Sequence, residues 1–96
     1  MFKKIFNYFK RLRYKCTETY YIKTEYANYK EVQEFLKYRR NVLDKTNCKF
    51  ELIFDLELEL DTDEIGKVKL THPKYNVTSN AVLGLRNGVV FWRFVD

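Results

Sequence analysis

Residues 50–61 read Phe50-Glu51-Leu52-Ile53-Phe54-Asp55-Leu56-Glu57-Leu58-Glu59-Leu60-Asp61, and this stretch decides the fold class. Six apolar side chains fall on one parity, and five of the six on the other parity are acids. A period of two is the β-strand period, so the stretch predicts one long strand over 49–61, apolar on one face and anionic on the other.

Working outward, alternation resumes at Lys67-Val68-Lys69-Leu70 after a turn from Asp61 to Gly66. Folded as a hairpin, one register sets Glu59 against Lys67 and Glu57 against Lys69. The same register sets Leu58 against Val68 and Leu56 against Leu70, so charge and apolar faces agree. His72-Pro73 ends that strand, and the polar residues 74–80 read as a loop. Arg86-Asn87-Gly88 marks a second hairpin, between strands at 81–85 and 89–95.

Upstream, residues 17–26 are rich in Thr and Tyr and predict a strand. Asn28 with Glu31 three positions on forms a capping-box pattern. Tyr29, Val32, Phe35, Leu36, Val42 and Leu43 then recur at helical spacing, which predicts a helix over 29–45 closed by Asn47. Its acids lie early and its bases late, as the helix dipole favours. Residues 2–14 predict an amphipathic helix. Phe2, Ile5, Phe6, Phe9 and Leu12 share one arc, opposite Lys3, Lys4, Asn7, Lys10 and Arg11. The expected fold is a single α+β domain over residues 1–96 with element order α-β-α-β-β-β-β. It is an antiparallel-rich sheet of about four or five strands with two helices packed on one face.

The composition fits a globular chain: 46% hydrophobic and 32% charged, with only three Gly and one Pro. That excludes a disordered or loop-rich chain. The net charge of +5 is unevenly placed, since the first fifteen residues hold six Lys or Arg and no acid. Such asymmetry points to an anionic partner. The two cysteines, Cys16 and Cys48, form no CxxC or Cys/His cluster and are expected to be free thiols in a reducing, cytoplasmic setting. No secretory signal is expected, because charge interrupts the apolar residues after the basic start, and no run of 18 apolar residues occurs. Asn76-Val77-Thr78 fits the glycosylation pattern, which matters only in a secreted chain.

No nucleophile-elbow, zinc-protease, P-loop or dinucleotide-binding motif occurs, and His72 is the only histidine. Asp61-Thr62-Asp63-Glu64-Ile65-Gly66 resembles the start of a calcium loop, but Ile65 and His72 stand where oxygen ligands belong. No catalytic residue, metal or cofactor is therefore expected, and the chain is not read as an enzyme. Two contact surfaces are expected instead. Glu51, Asp55, Glu57, Glu59 and Asp61 form an acidic strand face for a protein partner. Lys3, Lys4, Lys10, Arg11 and Arg13, extended by Arg39 and Arg40, form a basic surface for an anionic one. The expected function is a small non-catalytic interaction protein, of the kind phages and mobile elements use to inhibit or modulate host machinery. The alternative is a nucleic-acid-binding module led by the basic N-terminal helix, and a third reading is association with a membrane surface.

Overall fold

The structure is a computed structural model that describes residues 14–95. The helix expected at about 2–14 therefore lies outside the described residues but for its last position. In chain order the elements are β1 (Cys16–Lys23), α1 (Lys30–Lys45), β2 (Cys48–Asp55), β3 (Glu64–His72), β4 (Val77–Arg86) and β5 (Val89–Val95). Short 3-10 turns occupy Thr24–Tyr26 and Pro73–Tyr75. The fold is α+β, as expected, with one five-stranded sheet in the order β2-β1-β3-β4-β5. The sheet is mixed, because β1 and β2 run parallel while the other three pairings are antiparallel.

The parallel pair follows from α1. Parallel neighbours need a crossover of a dozen or more residues, and the segment between Lys23 and Cys48 carries this helix. Val32, Leu36 and Leu43 are its buried positions, on one face, with Glu31 in the first turn and Lys45 in the last. The helix ends where the Thr46 N–H reaches the Val42 and Leu43 carbonyls and Asn47 turns left-handed, at φ 60°. These bounds match the sequence expectation to within a residue, although Tyr29 and not Asn28 precedes the first turn.

The expected hairpin between residues 49–61 and 67–70 does not form. Strand β1 lies between β2 and β3, with Tyr20 paired to Leu52 on one side and Val68 on the other. The long strand also ends early, at Asp55. Its partner β1 stops at Lys23 opposite Asp55 and turns into the Thr24–Tyr26 helix, so Leu56 has no strand to pair with. The Asp55 carboxylate then accepts the Glu57 N–H at 2.9 Å and turns the chain. Leu56 is left 81% exposed. Within β2 the expected alternation holds over its first half: Phe50 and Leu52 pack on the core with Glu51 on the other face, but Phe54, on the apolar parity, is exposed.

Strand β3 begins earlier than expected, at Glu64, through a bulge at Ile65 that shifts its register against β4. The extra residue lets Ile65 enter the core and sends Glu64 to the opposite face. Gly66 follows because a Cβ there would collide with the Tyr21 carbonyl oxygen on the neighbouring strand. The polar segment 77–80 belongs to β4 and is not loop; it pairs Val77 with His72 and Asn80 with Lys69. The hairpin at Asn87-Gly88 is as expected, with both residues left-handed at φ 52° and 76°.

The cysteines are joined, not free. Cys16 and Cys48 are paired positions at the start of the two parallel strands, with Cα atoms 4.8 Å apart and a disulfide between them. Both are buried and Leu43 of α1 packs with them. The bridge closes a loop containing the whole α1 crossover, with a sequence separation of 32. A loop of this length implies stabilisation of about 4 kcal/mol in the chain-entropy account. Thiol titration of the denatured, unreduced chain is expected to find no free thiol. Cys16→Ala/Cys48→Ala is expected to lower the unfolding free energy in urea by about 2–4 kcal/mol. Two titratable thiols in the unreduced protein would contradict the bridge.

Candidate functional site

The sheet has two unlike faces. One carries Phe50, Leu52, Tyr20, Ile22, Val68, Ala81, Leu83 and Trp92, and α1 packs on it. Within that interface sits one polar cluster. Glu18 is buried, and its two carboxylate oxygens accept from Arg39 Nη2 at 2.7 and 2.9 Å. The Tyr20 hydroxyl donates to Glu18 at 2.6 Å and accepts from Arg39 Nε at 3.2 Å. The Arg39 guanidinium also lies 5.2 Å from the centroid of the Trp92 ring. Each polar group in the cluster finds a partner, which is what lets it be buried.

The cluster holds Tyr20 neutral. Burial pushes its hydroxyl well above the ordinary tyrosine range, and the bond to the Glu18 carboxylate pushes it the same way. For Arg39, burial alone lowers the guanidinium, but the bonds to Glu18 and Tyr20 outweigh it and the net direction is up. The Tyr20 ring is fixed as well, stacked on Phe50 at 5.3 Å and edge-on to Phe35 at 6.0 Å.

The other face has no helix on it among the described residues. By register it presents Lys49, Glu51, Ile53 and Asp55 from β2; Thr17, Thr19, Tyr21 and Lys23 from β1; Glu64, Lys67 and Lys69 from β3; Asn80, Val82, Gly84 and Arg86 from β4; and Phe91, Arg93 and Val95 from β5. Six of these are bases and three are acids. Two of the acids are already paired. Glu51 bonds Lys49 at 2.7 Å and accepts from the Thr19 hydroxyl at 3.0 Å, and the Lys49 contact is the larger reason its carboxyl sits below the usual range. Glu64 bonds Arg93 at 3.1 Å, reaching across β4. Asp63, in the turn before β3, bonds Arg86 at 2.8 Å.

Lys67 and Lys69 are different. Both are exposed, and neither makes an ion pair among the described residues. They border a hollow of about 340 Å³ with Tyr21, Asn80, Val82 and Val95. A second hollow of about 510 Å³ meets it at Val82 and is lined by Glu64, Arg86, Phe91 and Arg93. The Phe91 ring lies flat over Gly84, where a Cβ would strike it, and the Arg86 guanidinium sits 5.6 Å from the ring centroid. The face is therefore a shallow trough in which Lys67 and Lys69, without an ion pair among the described residues, lie beside Tyr21, with Phe91 in the adjoining hollow.

This arrangement redistributes the residues singled out from the sequence. Of the acidic set, Glu51 and Asp55 lie on the face of β2 opposite the helix, while Glu57, Glu59 and Asp61 fall in the segment between β2 and β3, which the Asp55 carboxylate joins by accepting the Glu57 N–H. Lys3, Lys4, Lys10, Arg11 and Arg13 lie outside the described residues. Arg39 is committed to Glu18, Tyr20 and Trp92, and Arg40 lies 4.9 Å from the Phe50 ring on the helix side of the sheet. Asp63 and Glu64 are taken up by arginines, and no group of three or more potential metal ligands occurs among the described residues. From the sequence, Lys67 and Lys69 are expected only as hairpin partners of acids. Their spacing of two, with apolar Val68 between, already placed both ammonium groups on one strand face.

The buried tyrosine gives the cluster a pH signature. Tyr20 has its folded value raised above the unfolded one, so its stabilisation is complete below the ordinary tyrosine range, about pH 10, and is lost as pH rises beyond it. Tyr20→Phe is expected to cost about 2 kcal/mol at neutral pH, the worth of a hydroxyl bonded to a charged group. The variant is expected to lose less stability than the parent between pH 10 and pH 12. Urea unfolding at a series of pH values checks both, and parallel pH profiles would contradict the assignment.

No family model matches the chain, and no curated protein or solved structure matches it either.

Proposed function

We propose that this protein is a non-catalytic module that binds single-stranded nucleic acid across the open face of its sheet. The observation that carries this reading is Lys67 and Lys69, which make no ion pair among the described residues and lie beside Tyr21 in the trough while the neighbouring acids Glu51, Asp63 and Glu64 are taken up by other bases. Phosphates need free cations, and bases need exposed ring faces to stack on. Tyr21 and Phe91 offer rings on the same face as Lys67, Lys69, Arg86 and Arg93.

Size favours a single strand over a duplex. Five strands about 4.8 Å apart span roughly 19 Å, whereas a B-form major groove is about 12 Å wide and admits one helix or a two-stranded ribbon. The basic stretch of residues 1–15 adds six positive charges to the same chain and supports the same class of partner.

Fluorescence anisotropy with a labelled oligothymidine tests the proposal. The full chain is expected to bind with a steep salt dependence. Lys67→Glu/Lys69→Glu is expected to weaken binding at least about tenfold and to lower the slope of log affinity against log salt by about 1.4, as the loss of two phosphate contacts requires. Both positions are exposed, so the variant is expected to keep the parent's unfolding midpoint. Unchanged affinity and slope in the double variant would overturn the proposal.

A further inference from the structure

The two edges of the sheet are guarded unequally. Strand β2 carries Lys49, Glu51 and Asp55, and charges of this kind discourage pairing with another chain. Strand β5 reads Val89-Val90-Phe91-Trp92-Arg93-Phe94-Val95, with one charged residue in seven and no proline. Its single charge, Arg93, is turned onto the open face and held by Glu64. Phe94 and Val89 remain 65% and 62% exposed.

Among the described residues, no strand pairs with the outer side of β5. The two-residue hairpin closes at Arg86 and Val89, with Phe91 opposite Gly84 and Arg93 opposite Val82. Alternation along an antiparallel pair then directs the backbone groups of positions 89, 91, 93 and 95 toward β4. Those of Val90, Trp92 and Phe94 point to the outside. Three consecutive outward sites of this kind form a ready template for one more strand.

We propose that β5 pairs with β5 of a second copy of this chain, antiparallel and centred on Trp92, joining two five-stranded sheets into one of ten. The order of residues argues for this occupant. A closed dimer pairs the strand with itself in reverse, and centring on Trp92 overlaps all seven positions. Trp92 then faces Trp92 of the second copy, Val90 faces Phe94, Phe91 faces Arg93, and Val89 faces Val95. Each pair keeps its side chains on one face, apolar groups meet apolar groups, and the lone guanidinium meets an aromatic ring. Centring on Arg93 would set two guanidinium groups against each other. Centring on Phe91 would leave Phe94 and Val95 without partners. The Trp92 register also places the two open faces on the same side of the joined sheet, so the troughs run on from one copy to the next. The pairing itself does not depend on what the troughs bind.

Size-exclusion chromatography with light scattering, on the full chain across the micromolar range, tests the pairing. The mass is expected to rise with concentration from that of the 11.8 kDa chain toward twice that value. Phe94→Pro removes an outward N–H without touching the β4 ladder, and Phe94→Lys sets a cation against Val90 of the second copy. Each variant is expected to weaken association at least about tenfold while keeping the parent's circular dichroism. Should Phe94→Pro perturb the fold, the exposed Phe94→Lys position still reads the interface. A parent chain that stays at monomer mass throughout would overturn the proposal, as would a dimer that survives both variants.

Discussion

The ion pair between Glu18 and Arg39 is the constraint on which the rest of this structure depends. Charges taken out of water are costly unless paired and fully hydrogen-bonded, so a buried Glu18 requires Arg39 to stand over it. That requirement fixes α1 along β1 in position and rotation together. The same guanidinium covers Trp92, which draws the far strand β5 toward the helix. One arginine thus ties the helix to the centre and to one edge of the sheet. The disulfide does a related job toward the other edge of the sheet, where Cys16 and Cys48 hold β1 and β2 in register beneath Leu43.

Fixing α1 on one face has a consequence for the other. The helix supplies the core, and the apolar residues of five strands converge on it. The opposite face then carries most of the charged residues of the strands, and its chemistry is set by which charges cancel. Lys49, Arg86 and Arg93 are spent on Glu51, Asp63 and Glu64, and these pairs contribute little as exposed contacts. Lys67 and Lys69 are what remains at the centre. Among the described residues the fold therefore separates an apolar side covered by α1 from an uncovered cationic one, and the bulge at Ile65 helps by sending a carboxylate to the uncovered side while filling the core.

Much of this was legible in the sequence where the signal was local. The helix showed in the spacing of Val32, Phe35, Leu36 and Leu43, and the β4–β5 hairpin in Asn87-Gly88, because both are decided within a few residues. The facing of Phe50 and Leu52 against Glu51 and Asp55 was equally visible. What failed was pairing across distance. The match of Glu59 with Lys67 and Leu58 with Val68 was sound as a local register, yet β1 binds both β2 and β3 and outcompetes it. Leu56, Leu58 and Leu60 kept the strand alternation but had no partner strand to meet. The Cys16–Cys48 bridge and the Glu18–Arg39 pair join residues 32 and 21 apart, and their proximity is a product of the crossover. One clue to the latter was present: Glu18 shares its parity with Tyr20 and Ile22, an acid on what reads as a core face.

A double-mutant cycle on Glu18→Gln and Arg39→Met, followed by urea unfolding, tests the central claim most directly. Each single change leaves its partner buried without its counter-charge and is expected to cost about 3 kcal/mol or more. The double variant is expected to recover part of that loss, with a coupling energy of about 2 kcal/mol. Costs that add to within about 0.5 kcal/mol would show that the two groups act independently and that α1 is held over the sheet by something else.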